Sequence, residues 1–176
     1  MSASEILVEA FERLRDAMYP AVNGLSIEEL TFRPDGESNS IAWLAWHLSR
    51  LQDAAVARLS GADPVWTSRG WYERFALGLD PDDTGTGHGP DSVAIVVADA
   101  RSLLDYFEDV HERTLEWIRS LDESELSRVL RADHDAPVTV ASRLLLVLID
   151  DLQHVGQAAY LRGYVQRRAD HLATED

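Results

Sequence analysis

Apolar residues recur every three or four positions through four stretches of the chain, the spacing of amphipathic helices. In the first stretch Ile6, Leu7, Ala10, Phe11, Leu14 and Met18 fall on one stripe, with Ser4 placed to cap it and Pro20 placed to stop it. Ser26-Ile27-Glu28-Glu29 then fits a capping box opening a short turn that ends before Pro34. A second long helix, capped by Asn39 or Ser40, carries Ile41, Leu44, Leu48, Leu51, Ala55 and Leu59 inward and meets a stop signal at Gly61. The third is expected from Asp91 or Ser92 to Leu121, with Val93, Val96, Val97, Leu103, Leu104, Phe107, Val110, Leu115 and Ile118 facing the core. Thr139 caps the fourth, which passes through Leu145, Leu148, Leu152, Val155 and Ala159 to Gly163.

Between the second and third helices, residues 61–90 break the periodicity. A connection longer than about 15 residues is uncommon in a compact domain and is usually functional or locally ordered. Trp66, Trp71, Tyr72 and Phe75 predict a packed excursion, with a short helix over 71–77. Residues 82–89, Asp-Asp-Thr-Gly-Thr-Gly-His-Gly, read as its most flexible part. Residues 122–137 accommodate a short helix and an extended piece. The pattern therefore predicts an all-α four-helix bundle over residues 1–165 with one long ordered connection, followed by a charged tail over 166–176.

Composition narrows the chemistry. A length of 176 residues suits one domain with a real core, and 45% apolar residues is ordinary for a globular protein. With no cysteine, disulfides, thiolate ligands and cysteine nucleophiles are excluded. The net charge of −15 argues against nucleic acid, which needs cations to neutralise phosphates, and against anionic membrane surfaces. The N-terminal residues lack the basic and apolar regions of a signal peptide and no apolar run reaches the roughly 20 residues of a membrane span, so a cytoplasmic location is expected. There is no phosphate-binding glycine loop, dinucleotide fingerprint, nucleophile elbow or His-Glu-x-x-His.

The candidate chemistry lies in two apolar helices about a hundred residues apart. His47 sits inside Trp43-Leu44-Ala45-Trp46-His47-Leu48, and Asp150 and His154 sit inside Asp150-Asp151-Leu152-Gln153-His154. An imidazole in such surroundings needs a hydrogen-bond partner, a metal or water, because burying it bare costs roughly 1–3 kcal/mol. Asp150 and His154, four apart, project from one helix face, and a histidine from a facing helix completes a two-histidine, one-carboxylate set suited to a divalent first-row metal. Asp151 competes as the carboxylate. Helical phase favours Asp150, about 40° from His154 around the axis against about 60° on the other side for Asp151, which shares a face with Leu144, Leu148 and Val155. The alternative use of these residues is structural: a core histidine at His47 and an Asp–imidazole pair tying two helices together.

Other residues carry weaker signals. Gly156 reads as a site of close helix approach and Gln157 as a structural polar group. His88 reads as an exposed loop histidine, and His111, His134 and His171 as solvated. Trp66, Trp71 and Tyr72, with Arg69 or Arg74 to grip a carboxylate, either line a substrate pocket or form the plug that holds the long connection down.

The late motif, residues 150–157 read with His47, resembles that of the DinB-like proteins, the superfamily that includes the metal-binding domain of mycothiol-dependent maleylpyruvate isomerase and other low-molecular-weight-thiol S-transferases. The likeness runs from about Leu14 to Gly163, and is strongest to an actinobacterial-type subgroup whose late motif reads Asp-Leu-Gln-His-Val-Gly-Gln. It departs from the usual pattern in one place: Asp150 stands where the first histidine of the late pair is expected. The resemblance implies a divalent metal, Zn or Ni, held by His47, Asp150 and His154. It also implies a homodimer and a small-molecule substrate, with mycothiol or a related thiol as the co-substrate of a transferase or isomerase. The alternative within the same fold is a non-catalytic dimeric helical module with a vestigial or absent metal site.

Overall fold

The computed structural model describes residues 1–131 and 137–173, of which 169–173 as backbone alone, so His134 and the side chain of His171 lie outside the described residues. Four long helices form the body: α1 (Ala3–Val22), α3 (Ile41–Ser60), α7 (Ala100–Ser120) and α9 (Val140–Ala173). Short elements join them: α2 (Ile27–Thr31), α4 (Val65–Ser68), α5 (Trp71–Phe75), α6 (Pro90–Ile95), α8 (Glu123–Ser127), and the antiparallel pair β1 (Val129–Arg131) and β2 (Val138–Thr139). Around the bundle each long helix packs on two others, α1 on α7 and α9, and α3 on α7 and α9. The core runs along the centre through Phe11, Leu14, Met18, Leu44, Leu48, Phe107, Ile118 and Leu144. This is the all-α bundle that the periodicity predicts.

Helix ends follow local chemistry. Ser26 and Glu29 form the expected capping box, Ser40 accepts from the Trp43 N–H, and Gly61 closes α3 at φ 74°, a left-handed conformation that favours glycine. Thr139 Oγ1 accepts from the Ser142 N–H at the start of α9. Some boundaries differ from the pattern. The first helix begins at Ser2, which with Glu5 makes a capping box, while Ser4 Oγ donates to the Leu121 carbonyl. It also continues past Pro20, because a proline in the last turn forfeits one N–H bond but blocks nothing beyond it.

The expected third helix is two. Asp99 accepts from the N–H of Ser102 at 2.9 Å and from its hydroxyl at 2.7 Å, starting a new helix and leaving residues 96–99 outside any helix. Val97, expected inside, is therefore exposed. At the other end of the chain, α9 does not stop at Gly163 but runs on to Ala173, with Tyr164 stacked on Phe32 and the Arg168 guanidinium over the same ring.

His111, expected to be solvated, is buried on α7 against Phe107, and neither ring nitrogen has a hydrogen-bond partner among the described residues. Burial, reinforced by Arg15 and Arg119, holds its pKa down at about 4. The folded state thus keeps the ring neutral where the unfolded chain protonates it. The stability this confers is complete above pH 6.5, the ordinary value, and is lost as pH falls toward 4. The shift corresponds to a loss on the order of 3 kcal/mol. His111→Leu should lose correspondingly less stability than the parent between these two pH values in urea titrations. An equal loss in both proteins would show that His111 does not govern this part of the acid response.

Candidate metal centre

The packing of α3 against α9 brings His47, Asp150 and His154 together. One candidate ligand atom from each lies within 4.8 Å of the others. The imidazoles of His47 and His154 meet edge to face, with centroids 4.9 Å apart, and Asp150 Oδ2 is 3.5 Å from His154 Nε2. Two atoms on one ion, at bond lengths near 2.0–2.1 Å, stand about 3.0–3.4 Å apart, so this separation is close to that of a shared ion. Asp150 Oδ2 and His154 Nδ1 are both buried with no hydrogen-bond partner among the described residues. Buried polar atoms are rarely left so, and here they belong to two of three converging metal-ligating side chains. The residues fit a divalent ion.

Helical phase separates the two neighbouring aspartates. Asp150 faces His154, whereas Asp151 turns into the core, fully buried, with neither oxygen hydrogen-bonded among the described residues. Burial, with the adjacent Asp150 adding to it, pushes the Asp151 carboxyl well above the ordinary range and so favours its neutral form.

The glycine-rich end of the excursion, expected to be flexible, is folded onto the site. The Thr84 carbonyl accepts from His47 Nδ1, which fixes the tautomer and leaves Nε2 with its lone pair. Burial lowers the His47 pKa, the Thr84 bond opposing, so the ring is neutral, the form a metal requires. Gly85 follows at φ 86°, and a Cβ there would lie 2.8 Å from His47 Nδ1 and 2.9 Å from the Trp46 ring. Only glycine allows the backbone to lie this close. His88 is correspondingly not a free loop residue. Its Nδ1 accepts from Trp43 Nε1 at 3.1 Å, and its Nε2 donates to Asp83 at 2.9 Å, so both nitrogens are occupied and neither is available to an ion.

What holds the excursion in place escaped the sequence reading. Arg50 and Asp53, one and two turns beyond His47 on α3, are buried and paired at 3.5 Å. Asp53 accepts from the N–H groups of Val65 and Trp66, both at 2.8 Å, and from the Tyr106 hydroxyl. Arg50 donates to the carbonyls of Pro81 and Asp83 and lies over the Trp66 ring. Burial raises the Asp53 carboxyl, and its donors and Arg50 oppose that. The four donors around it, two backbone N–H groups, the Tyr106 hydroxyl and Arg50, favour the carboxylate form. The three-residue spacing of an arginine and an aspartate was legible on α3, but such a pair is ordinarily a solvated surface contact, and only its burial marks it as structural.

The aromatic cluster is the plug rather than the pocket. Trp66, Trp71, Phe75 and Tyr106 pack together, Arg69 pairs with Asp109, and Arg74 lies over Trp71. The pocket is elsewhere: a cavity of about 500 Å³ lined by two of the converging residues, His47 and Asp150, together with Trp43 and Arg143. Gly156 is exposed with nothing among the described residues near its Cβ position, so it serves no close helix approach among them, and Gln157 is exposed beside it.

The sequence profile of the DinB superfamily matches residues 10–158. A crystal structure of a conserved protein from Enterococcus faecalis is 31% identical, with a TM-score of 0.86 over 94% of this chain and 98% of that one. Among curated proteins no match is found.

Removing the charge that holds the excursion should be costly. Breaking one side of a buried ion pair costs about 3–5 kcal/mol. Asp53→Asn should therefore lower unfolding stability by about that amount in urea titrations. A change below about 1 kcal/mol would mean that the excursion is held by its aromatic contacts alone.

Proposed function

Because this chain belongs to the DinB superfamily, we propose that it is a divalent-metal protein whose ligands are His47, Asp150 and His154, serving a thiol-dependent transfer or isomerisation of a small molecule. The observation that carries this reading is the convergence of three ligand atoms, two of them on side chains with buried unpartnered polar atoms, beside an open cavity. Two imidazole nitrogens and one carboxylate leave coordination positions free and favour Zn or Ni. When bound, such an ion supplies Lewis acidity, which lowers the pKa of an incoming thiol and so favours its thiolate near neutral pH. The chain has no cysteine, so the thiol comes from a co-substrate such as mycothiol. His47 is held by the Thr84 carbonyl with Nε2 free, Asp150 brings the single negative charge, and Trp43 stacks on His47 at 4.5 Å and limits its rotation.

Protein stripped with a chelator and reloaded with Zn should bind the ion and melt higher. An ion at 100 times its dissociation constant stabilises by about 2.7 kcal/mol, roughly 5–10 °C for a chain of this size. His154→Ala should abolish the difference and Asp150→Asn should reduce it strongly, while Asp151→Asn leaves it. Occupancy should fall as pH drops below roughly 6, because an imidazole must be neutral to ligate. No thermal response to Zn or Ni would leave His154 and Asp150 as a pair that ties α9 together.

The same helix supports a homodimer. Leu145, Ile149, Leu152 and Tyr160 are exposed along one face of α9, with Gly156 open among them. Apolar residues beyond the core-facing stripe call for a second partner, and the exposed glycine lets another backbone approach closely. In light scattering at micromolar concentration the parent should have the mass of a dimer and Ile149→Arg that of a monomer. A parent of monomer mass would rule out self-association through this face.

A further inference from the structure

Arg143 is an exposed arginine in the lining of the cavity, and it makes no hydrogen bond or ion pair among the described residues. The chain has 31 acidic and 16 basic residues, so an arginine has many acidic groups to pair with. Most of the others with a described side chain are engaged: Arg50 with Asp53, Arg69 with Asp109, Arg119 with Glu12. Among the described lining residues Arg143 is also the only arginine, and Asp150 the only acid. The two are seven residues apart on α9, so they share a face at about 10 Å along the axis. The first turn of α9, where Arg143 lies, holds no acidic residue to offset its charge.

The lining also holds the apolar side chains of Trp43, Leu51, Ala55, Leu146 and Val147, the segment from Gly85 to His88, and Asn39, whose side-chain amide has no described hydrogen bond. The cavity thus combines one cationic group, an apolar surface and the ligand residues His47 and Asp150. We propose that it takes a small organic carboxylate, its carboxyl gripped by the Arg143 guanidinium and its apolar body lying along α3 and α9. That the other end of the molecule points toward the three ligand residues rests on the metal reading above; the grip by Arg143 does not. The planar guanidinium matches a carboxylate through two parallel N–H···O bonds, a geometry that an ammonium cannot reproduce. Charge-assisted bonds of this kind contribute enough to discriminate a carboxylate from its neutral isostere by about tenfold or more.

The test compares phenylacetate with phenylacetamide, two probes of the same shape that differ in charge. Binding is followed by calorimetry and by quenching of tryptophan fluorescence, on the full chain with and without Zn. Phenylacetate should bind the parent at least about tenfold more tightly than the amide. Arg143→Gln should erase that preference while leaving Zn affinity and the melting temperature unchanged, and Arg143→Lys should restore it only in part. Equal binding of the two probes by the parent, absence of binding by either, or a preference that survives in Arg143→Gln would overturn the proposal. A chain that binds no Zn but keeps the Arg143-dependent preference would refute the metal reading and leave this one standing.

Discussion

Arg50 and Asp53 are charged residues with almost no solvent access, and each bonds to backbone groups that no helix satisfies internally. Asp53 takes the two N–H groups at the start of α4, and Arg50 takes the carbonyls of Pro81 and Asp83. Backbone outside helices must find partners when it is buried, and a connection of this length cannot satisfy itself. The pair supplies an acceptor at one end of the excursion and donors at the other, both from one turn of α3. Without it, Thr84 has no fixed position over His47.

The site inherits its order from that anchor. Once Pro81 and Asp83 are pinned, the next residues pass directly over the rings of Trp43, Trp46 and His47, at a distance only a glycine at position 85 tolerates. The Thr84 carbonyl then decides which nitrogen of His47 carries the proton, and Asp83 and Trp43 together occupy His88. The excursion is thus the outer wall of the site. It orients one histidine for a ligand and withdraws another.

Membership of the DinB superfamily and the likeness to the enterococcal structure agree with this architecture over nearly the whole chain. They fix the fold. What distinguishes this chain lies in its particular residues: an aspartate one turn before His154, an arginine two turns before that aspartate with no partner among the described residues, and a buried acid beside it turned into the core.

The sequence by itself determined the four long helices, because burial of one stripe every 3.6 residues is a local signal that survives any packing. It also determined, through helical phase alone, that Asp150 rather than Asp151 shares the face of His154. The capping box at Ser26, a cap at Asn39 or Ser40 and the stop at Gly61 were legible for the same reason, since caps act within a few residues. The break at Asp99 was not, because Val93, Val96 and Val97 continue an apolar pattern across it and the Asp99–Ser102 cap competes with helix continuation by only about 1 kcal/mol. Tertiary structure alone decided that His111 is buried, that His88 is spoken for and that the Arg50–Asp53 pair is internal. In each case the deciding partner is remote in sequence or is a backbone group, and a side chain's spacing along its own helix carries no record of either.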